Sequence, residues 1–108
     1  MKFLPTFSDV ERAHQVISRY AHNTPVLTSN SINSITGGKL FFKCENFQKV
    51  GAFKFRGACN AVFSICSDEG KPGKGVATHS SGNHAAALAL AAKMQGIDAH
   101  IVLSLIHI

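Results

Sequence analysis

Lys54 is the residue in this chain best suited to covalent chemistry. It is flanked by Phe53 and Phe55 and preceded by Gly51-Ala52, a step that frees the backbone. Burial in a partly apolar site disfavours the ammonium, which lowers its pKa and leaves an amine able to attack a carbonyl and form a Schiff base. The competing reading is a surface lysine on an amphipathic helix, its aliphatic stem lying over the phenylalanines, and spacing alone favours it. Ser80-Ser81-Gly82, followed by Asn83 and His84, forms a second cluster. It falls where a strand should give way to a helix, so backbone N–H groups and the helix dipole favour an anion such as a carboxylate there. Either serine reads equally well as a helix cap, and the two roles are compatible. His79 and His84 are five residues apart with no carboxylate or cysteine beside them. Packing or hydrogen bonding is the better reading for the pair, and no metal site is expected.

The elements that must position these groups follow from patterning. Ser8 and Glu11 have capping-box spacing ahead of Val10, Ala13, Ile17 and Tyr20, which predicts a helix over 9–21. Pro25 pushes Thr24 into extended geometry, so 23–28 is expected as a strand-like or irregular connector, and 29–35 reads as a short polar helix or turn closed by Gly37-Gly38. The run 39–45, with Leu40, Phe41, Phe42 and Cys44, predicts a strand buried on both sides. From Phe53 to Cys66 apolar residues surround the helix almost completely, as in a buried helix. Strand 75–79, Ala-rich helix 83–95 closed by Gly96, and strand 99–103 then make a β-α-β unit with a parallel, right-handed connection. The glycine- and proline-bearing stretch 67–74 is a linker. Gly70, Gly73 and Gly75 fit no phosphate-loop spacing.

Composition narrows the function classes. A 108-residue chain, 45% hydrophobic and 16% charged, is that of an ordinary globular domain. The start is too quickly polar for a secretory signal and no apolar run is long enough for a membrane span, so a cytoplasmic protein without membrane association is expected. Cys44, Cys59 and Cys66 have no metal-ligand spacing and are expected as reduced thiols, with Cys59 and Cys66 on one helix face acting as small buried hydrophobes. Eleven Lys and Arg against six Asp and Glu give +5, but the basic residues are scattered singly. Nucleic-acid binding is not expected.

Glu45-Asn46-Phe47-Gln48-Lys49-Val50-Gly51-Ala52-Phe53-Lys54-Phe55-Arg56-Gly57 resembles the cofactor-lysine signature of fold-type II pyridoxal-phosphate (PLP) enzymes, in the serine racemase and serine/threonine dehydratase family. Thr78-His79-Ser80-Ser81-Gly82-Asn83-His84 resembles the substrate loop of the same family. Phe7-Ser8-Asp9-Val10-Glu11, Thr24-Pro25-Val26-Leu27-Thr28-Ser29 and Leu40-Phe41-Phe42-Lys43-Cys44-Glu45 follow the family order, so the resemblance runs over 7–102. It implies an α/β, tryptophan-synthase-β-like fold, present as an incomplete open parallel sheet with helices. By the same resemblance 1–68 belong to a large PLP domain, 69–74 to a linker, 75–103 to the start of a small domain, and 104–108 to a tail outside the family pattern.

The implied roles are specific. Lys54 holds PLP as a Schiff base beside Phe53, and Asn83 bonds the cofactor's phenolic oxygen. Ser80, Ser81, Gly82, Asn83 and His84 hold the substrate carboxylate. Ser81 and Lys54 act as acid and base on opposite faces of a serine or threonine substrate. The same resemblance aligns Ser29, Asn30, Ser31, Lys49 and Val50 with an ATP effector site, with Mg²⁺ as a second effector and a homodimer as the assembly; Asn30 and Ser31 depart from the family residues. Ala85-Ala86 and the end Leu103-Ser104-Leu105-Ile106-His107-Ile108 also depart from it. The chain is expected to be a truncated N-terminal portion, without turnover alone. The alternative is a non-enzymatic form that binds full-length subunits.

Overall fold

The computed structural model describes residues 4–68 and 75–107. The linker at 69–74 therefore lies outside the described residues. Helix α1 spans Phe7–Ile17, strand β1 Val26–Leu27, helix α2 Asn30–Thr36 and strand β2 Phe42–Lys43. Two 3₁₀ turns, Glu45–Phe47 and Lys49–Gly51, lead into helix α3, Lys54–Asp68. Strand β3 (Val76–His79), helix α4 (Asn83–Gln95) and strand β4 (Ala99–Val102) follow, with a last 3₁₀ turn at Leu105–His107.

The β-α-β unit forms as its pattern predicts, β3 pairing in parallel with β4 from Val76↔Ala99 to His79↔Val102. Helix α4 ends at Gly96, whose φ of 68° is left-handed and turns the chain so that the Ile97 N–H donates to the Ala92 carbonyl at 3.1 Å. Its alanines let it lie close on α3. Ala87, Leu88 and Ala91 pack with Phe55, Ala58, Cys59, Val62 and Phe63, and α1 closes the cluster with Ile17. Tyr20 and Phe63 stack with ring centroids 4.3 Å apart.

Five local expectations are corrected. The capping box sits two residues earlier: the Thr6 N–H donates to the Asp9 carboxylate at 2.6 Å, and α1 starts at Phe7 instead of Asp9. It ends at Ile17, four residues early, and the chain beyond it tightens into a turn in which the Tyr20 N–H donates to the Ile17 carbonyl three residues back, at 2.9 Å. Strand β2 is two residues long, not the whole of 39–45, and it pairs antiparallel with β1 (Val26↔Lys43, Leu27↔Phe42). Nor is it buried on both sides, for both of its residues are exposed and Phe41 just ahead of it is 70% exposed. Helix α3 likewise buries only one side, leaving Ile65 exposed, as is Phe53 just ahead of it. The radius of gyration is 17.0 Å, against about 13 Å for a compact domain of this size.

Candidate active site

Lys54 is the first residue of α3, delivered there by the two 3₁₀ turns. Its ammonium lies over the Phe53 ring, 5.2 Å from the centroid. The apolar surroundings expected from Phe53 and Phe55 are only half realised. Phe55 is fully buried in the core on the other side of the helix, while Phe53 and Lys54 are both exposed. Phe53, Lys54, Gly57, Ala58 and His84 line a cleft of about 230 Å³. The start of α3 thus meets the start of α4.

Gly82, not a serine, is the N-cap residue of α4, and no side chain caps the helix. The first-turn N–H groups of a helix have no intrahelical acceptor, so this end stays open to an anion. The Ser80 hydroxyl instead accepts from the Gly82 N–H at 3.3 Å, which shapes the loop ahead of the helix. Ser80 is half-buried; Ser81, Gly82, Asn83 and His84 are exposed. A separate cleft of about 450 Å³ between α1 and α3 is lined by Asp9, Arg12, Ala13, Val16, Asn60, Ser64 and Ser67. Asp9 and Arg12 are paired with each other there.

The loop before Lys54 is held by polar contacts that sequence reasoning missed. Glu45 accepts from Arg56 Nε at 2.8 Å and Nη2 at 2.7 Å, and from the Thr24 hydroxyl at 2.5 Å. The Arg56 guanidinium, with help from Thr24 and against a smaller penalty from burial, pulls the Glu45 carboxyl down to about 2. Gln48, the other anchor, bonds the backbone of His22 through both ends of its amide. Lys43 Nζ donates to the Thr24 carbonyl at 2.6 Å. The signal was present in the sequence, since Glu45, Gln48 and Arg56 all lie in the signature around Lys54, but their partners are remote.

The residues aligned with an effector site lie on two elements. Ser29 caps α2, accepting from the Ile32 N–H at 3.3 Å, with Asn30 and Ser31 in the first turn behind it. Lys49 and Val50 lie in the second 3₁₀ turn, the Lys49 ammonium 5.5 Å from the centre of the Phe55 ring. The cysteines are free. Burial pushes the Cys59 thiol up, opposed by the Lys49 charge, and leaves it a packing group. Among the described residues no three His, Cys, Asp or Glu side chains group as metal ligands, and no helix is long and apolar enough to cross a membrane.

Known proteins resemble this chain in sequence and in fold. Residues 17–106 match the family described as pyridoxal-phosphate dependent enzyme. Serine racemase of Arabidopsis thaliana is 62% identical over 101 residues, 94% of this chain and 30% of the relative. The structure of maize serine racemase superposes with a TM-score of 0.85 at 54% identity, covering 94% of this chain and 31% of that one. The threonine deaminase from T.th. superposes with a TM-score of 0.79 at 37% identity, covering 91% of this chain and 33% of that one. The chain spans about 30% of the length of the curated relatives it matches.

Proposed function

The chain belongs to the pyridoxal-phosphate dependent enzymes, in their fold-type II branch, and from that premise we propose that it carries the cofactor lysine and substrate loop of a serine racemase. The proposed activity interconverts L- and D-serine and also eliminates ammonia from L-serine or threonine, giving pyruvate or 2-oxobutanoate. The single observation that supports it most is the cleft shared by Lys54 and His84.

The residues present fit PLP. The Lys54 amine is exposed, no carboxylate among the described residues pairs with it, and it opens on a cleft lined by Gly57 and Ala58. Small residues there leave room for a flat ring, and the exposed Asn83, next in sequence to the cleft-lining His84, is the residue assigned to bond a phenolic oxygen. Bound at this position, PLP supplies an electron sink for the carbanion left when the substrate α-proton is removed. The chain's own groups do the rest. The open first turn of α4 binds the substrate carboxylate. Lys54 moves the α-proton on one face and the Ser81 hydroxyl on the other, as inversion requires, since one base cannot readily serve both faces. Elimination needs only one face.

PLP followed by borohydride and peptide mapping tests the reading, with label expected on Lys54 ahead of the other lysines. Lys43 is engaged with the Thr24 carbonyl, so it does not compete well. Label concentrated on another lysine refutes the assignment. A second reading, a non-enzymatic partner of longer subunits, is favoured by the exposed Val26, Leu27, Phe41 and Phe42 around β1 and β2. Binding to a full-length relative without any effect of Lys54→Ala would support it.

A further inference from the structure

We infer that Gln48 is a positioning residue for Lys54, its buried side-chain amide fixing the path of the loop that aims the lysine. The inference rests on the reading of Lys54 as the cofactor lysine. Gln48 is 3% exposed, and its three side-chain hydrogen bonds all go to backbone. Its Oε1 accepts from the His22 N–H at 2.9 Å and the Lys49 N–H at 3.0 Å, and its Nε2 donates to the His22 carbonyl at 2.8 Å. The amide thus pairs with both main-chain groups of His22 as a neighbouring strand would, and ties the loop to a segment 26 residues earlier.

The turn that follows is strained. Val50 has φ 59° and ψ 14°, a left-handed conformation that a β-branched residue avoids, and Gly51 continues it at φ 68°. Such a conformation persists only where its surroundings over-determine it. Here the Gly51 N–H donates to the Gln48 carbonyl at 2.8 Å, and the Val50 side chain packs on the core. Beyond the turn, Arg56 Nη2 reaches the same His22 carbonyl at 3.3 Å. Lys54 therefore sits between two anchors, Gln48 and Arg56, that converge on one backbone oxygen. Among the described residues no hydrogen bond restrains the Lys54 side chain itself, so its direction is inherited from those anchors.

The test compares the 108-residue chain with Gln48→Met, which keeps side-chain length and removes the amide, and with Val62→Ala, which weakens the core away from the loop. Two readouts are taken, amide hydrogen exchange and the share of borohydride-fixed PLP label on Lys54. In Gln48→Met, exchange at 49–53 is expected to rise about tenfold while the interiors of α3 and α4 stay protected, and the Lys54 share of label to fall about tenfold. Val62→Ala should raise exchange across the helices and leave the label share unchanged. Unchanged loop exchange, or faster exchange everywhere alike, overturns the inference. Faster loop exchange with an unchanged label share also overturns it, because the amide would then be structural only. Should the unsubstituted chain put no excess label on Lys54, the cofactor-lysine reading fails and the aiming role with it, whereas the loop brace is still judged by exchange. If Gln48→Met does not fold, Arg56→Lys removes the other anchor on His22 and carries the same expectations.

Discussion

Glu45→Gln isolates the charge that ties the signature loop to α3. The substitution keeps one oxygen, enough for the Thr24 hydroxyl and Arg56 Nη2, and removes the negative charge together with the second oxygen, which accepts from Arg56 Nε. The Glu45 carboxyl stands at about 2 against its ordinary 4.5, chiefly through its hydrogen bonds from Arg56. That difference corresponds to about 3 kcal/mol in favour of the charged form in the folded chain, at about 1.4 kcal/mol per pH unit. The Arg56 side chain is 31% exposed and that of Glu45 17%, so solvent screening brings the expected contribution to about 2 kcal/mol. The sign follows from proton binding. Between the folded and ordinary values the unfolded chain binds the proton and the folded chain does not, so the stability is complete above about pH 4.5 and is lost as pH falls towards about 2. Asp9, also lowered by its bonds from Thr6, adds a slope of the same sign, which is why the comparison must be with a variant. Urea unfolding followed by circular dichroism should show the native chain more stable than Glu45→Gln by about 2 kcal/mol at neutral pH, the gap closing towards about pH 2.5. A gap that stays constant over that range refutes the reasoning, because the carboxylate would then not be preferentially charged in the folded state.

Phe63→Ala removes the ring stacked on Tyr20 in the core and should cost about 3–5 kcal/mol. That is a large share of what a small domain possesses, so the thermal melt followed by circular dichroism should lose its cooperativity, and a sharp melt near the native midpoint would contradict the packing described. In an assembly that turns over L-serine, Ser81→Ala should suppress racemisation more than elimination, measured as D-serine against pyruvate; equal losses would remove Ser81 from its one-face role. The 108-residue chain alone, given PLP, Mg²⁺ and L-serine, should form neither product above a Lys54→Ala control. Lys54 is exposed on the described surface, and misplacement of a reacting group by about an ångström costs about a hundredfold.

Elements whose ends are set by near neighbours were legible in the sequence. Helix α4 ran from Asn83 to Gln95 as its alanine-rich pattern and Gly96 indicated, and β3 and β4 paired in parallel around it. Which face each element covers was misjudged. Leu40, Phe41 and Phe42 read as a strand buried on both sides, because apolar composition registers that a surface wants a partner and not whether one is present. Phe53 just ahead of α3 and Ile65 on it failed for the same reason, whereas Phe55, Cys59 and Val62 on the other side of the helix found α4 and α1. The capping box slipped by two residues because Thr6/Asp9 and Ser8/Glu11 satisfy the same spacing rule, and only the realised Thr6 to Asp9 bonds separate them.

The candidate site shows a different limit. The signature supplied the chemistry, a lysine between phenylalanines at a helix start, but the means of aiming it lies in partners that carry no sequence signal. Gln48 and Arg56 both meet the main chain of His22, and any residue other than proline at that position offers the same N–H and carbonyl. Side-chain identity at position 22 is therefore uninformative, while the conformation of 22–24 is decisive. Pro25 restricts Thr24 to extended backbone, and the Thr24 hydroxyl reaches Glu45 from there. The extended connector, which the sequence reading treated as a mere link, is thus the surface against which the loop before Lys54 is set. A residue that bends this connector should disturb the lysine as surely as one that removes Gln48.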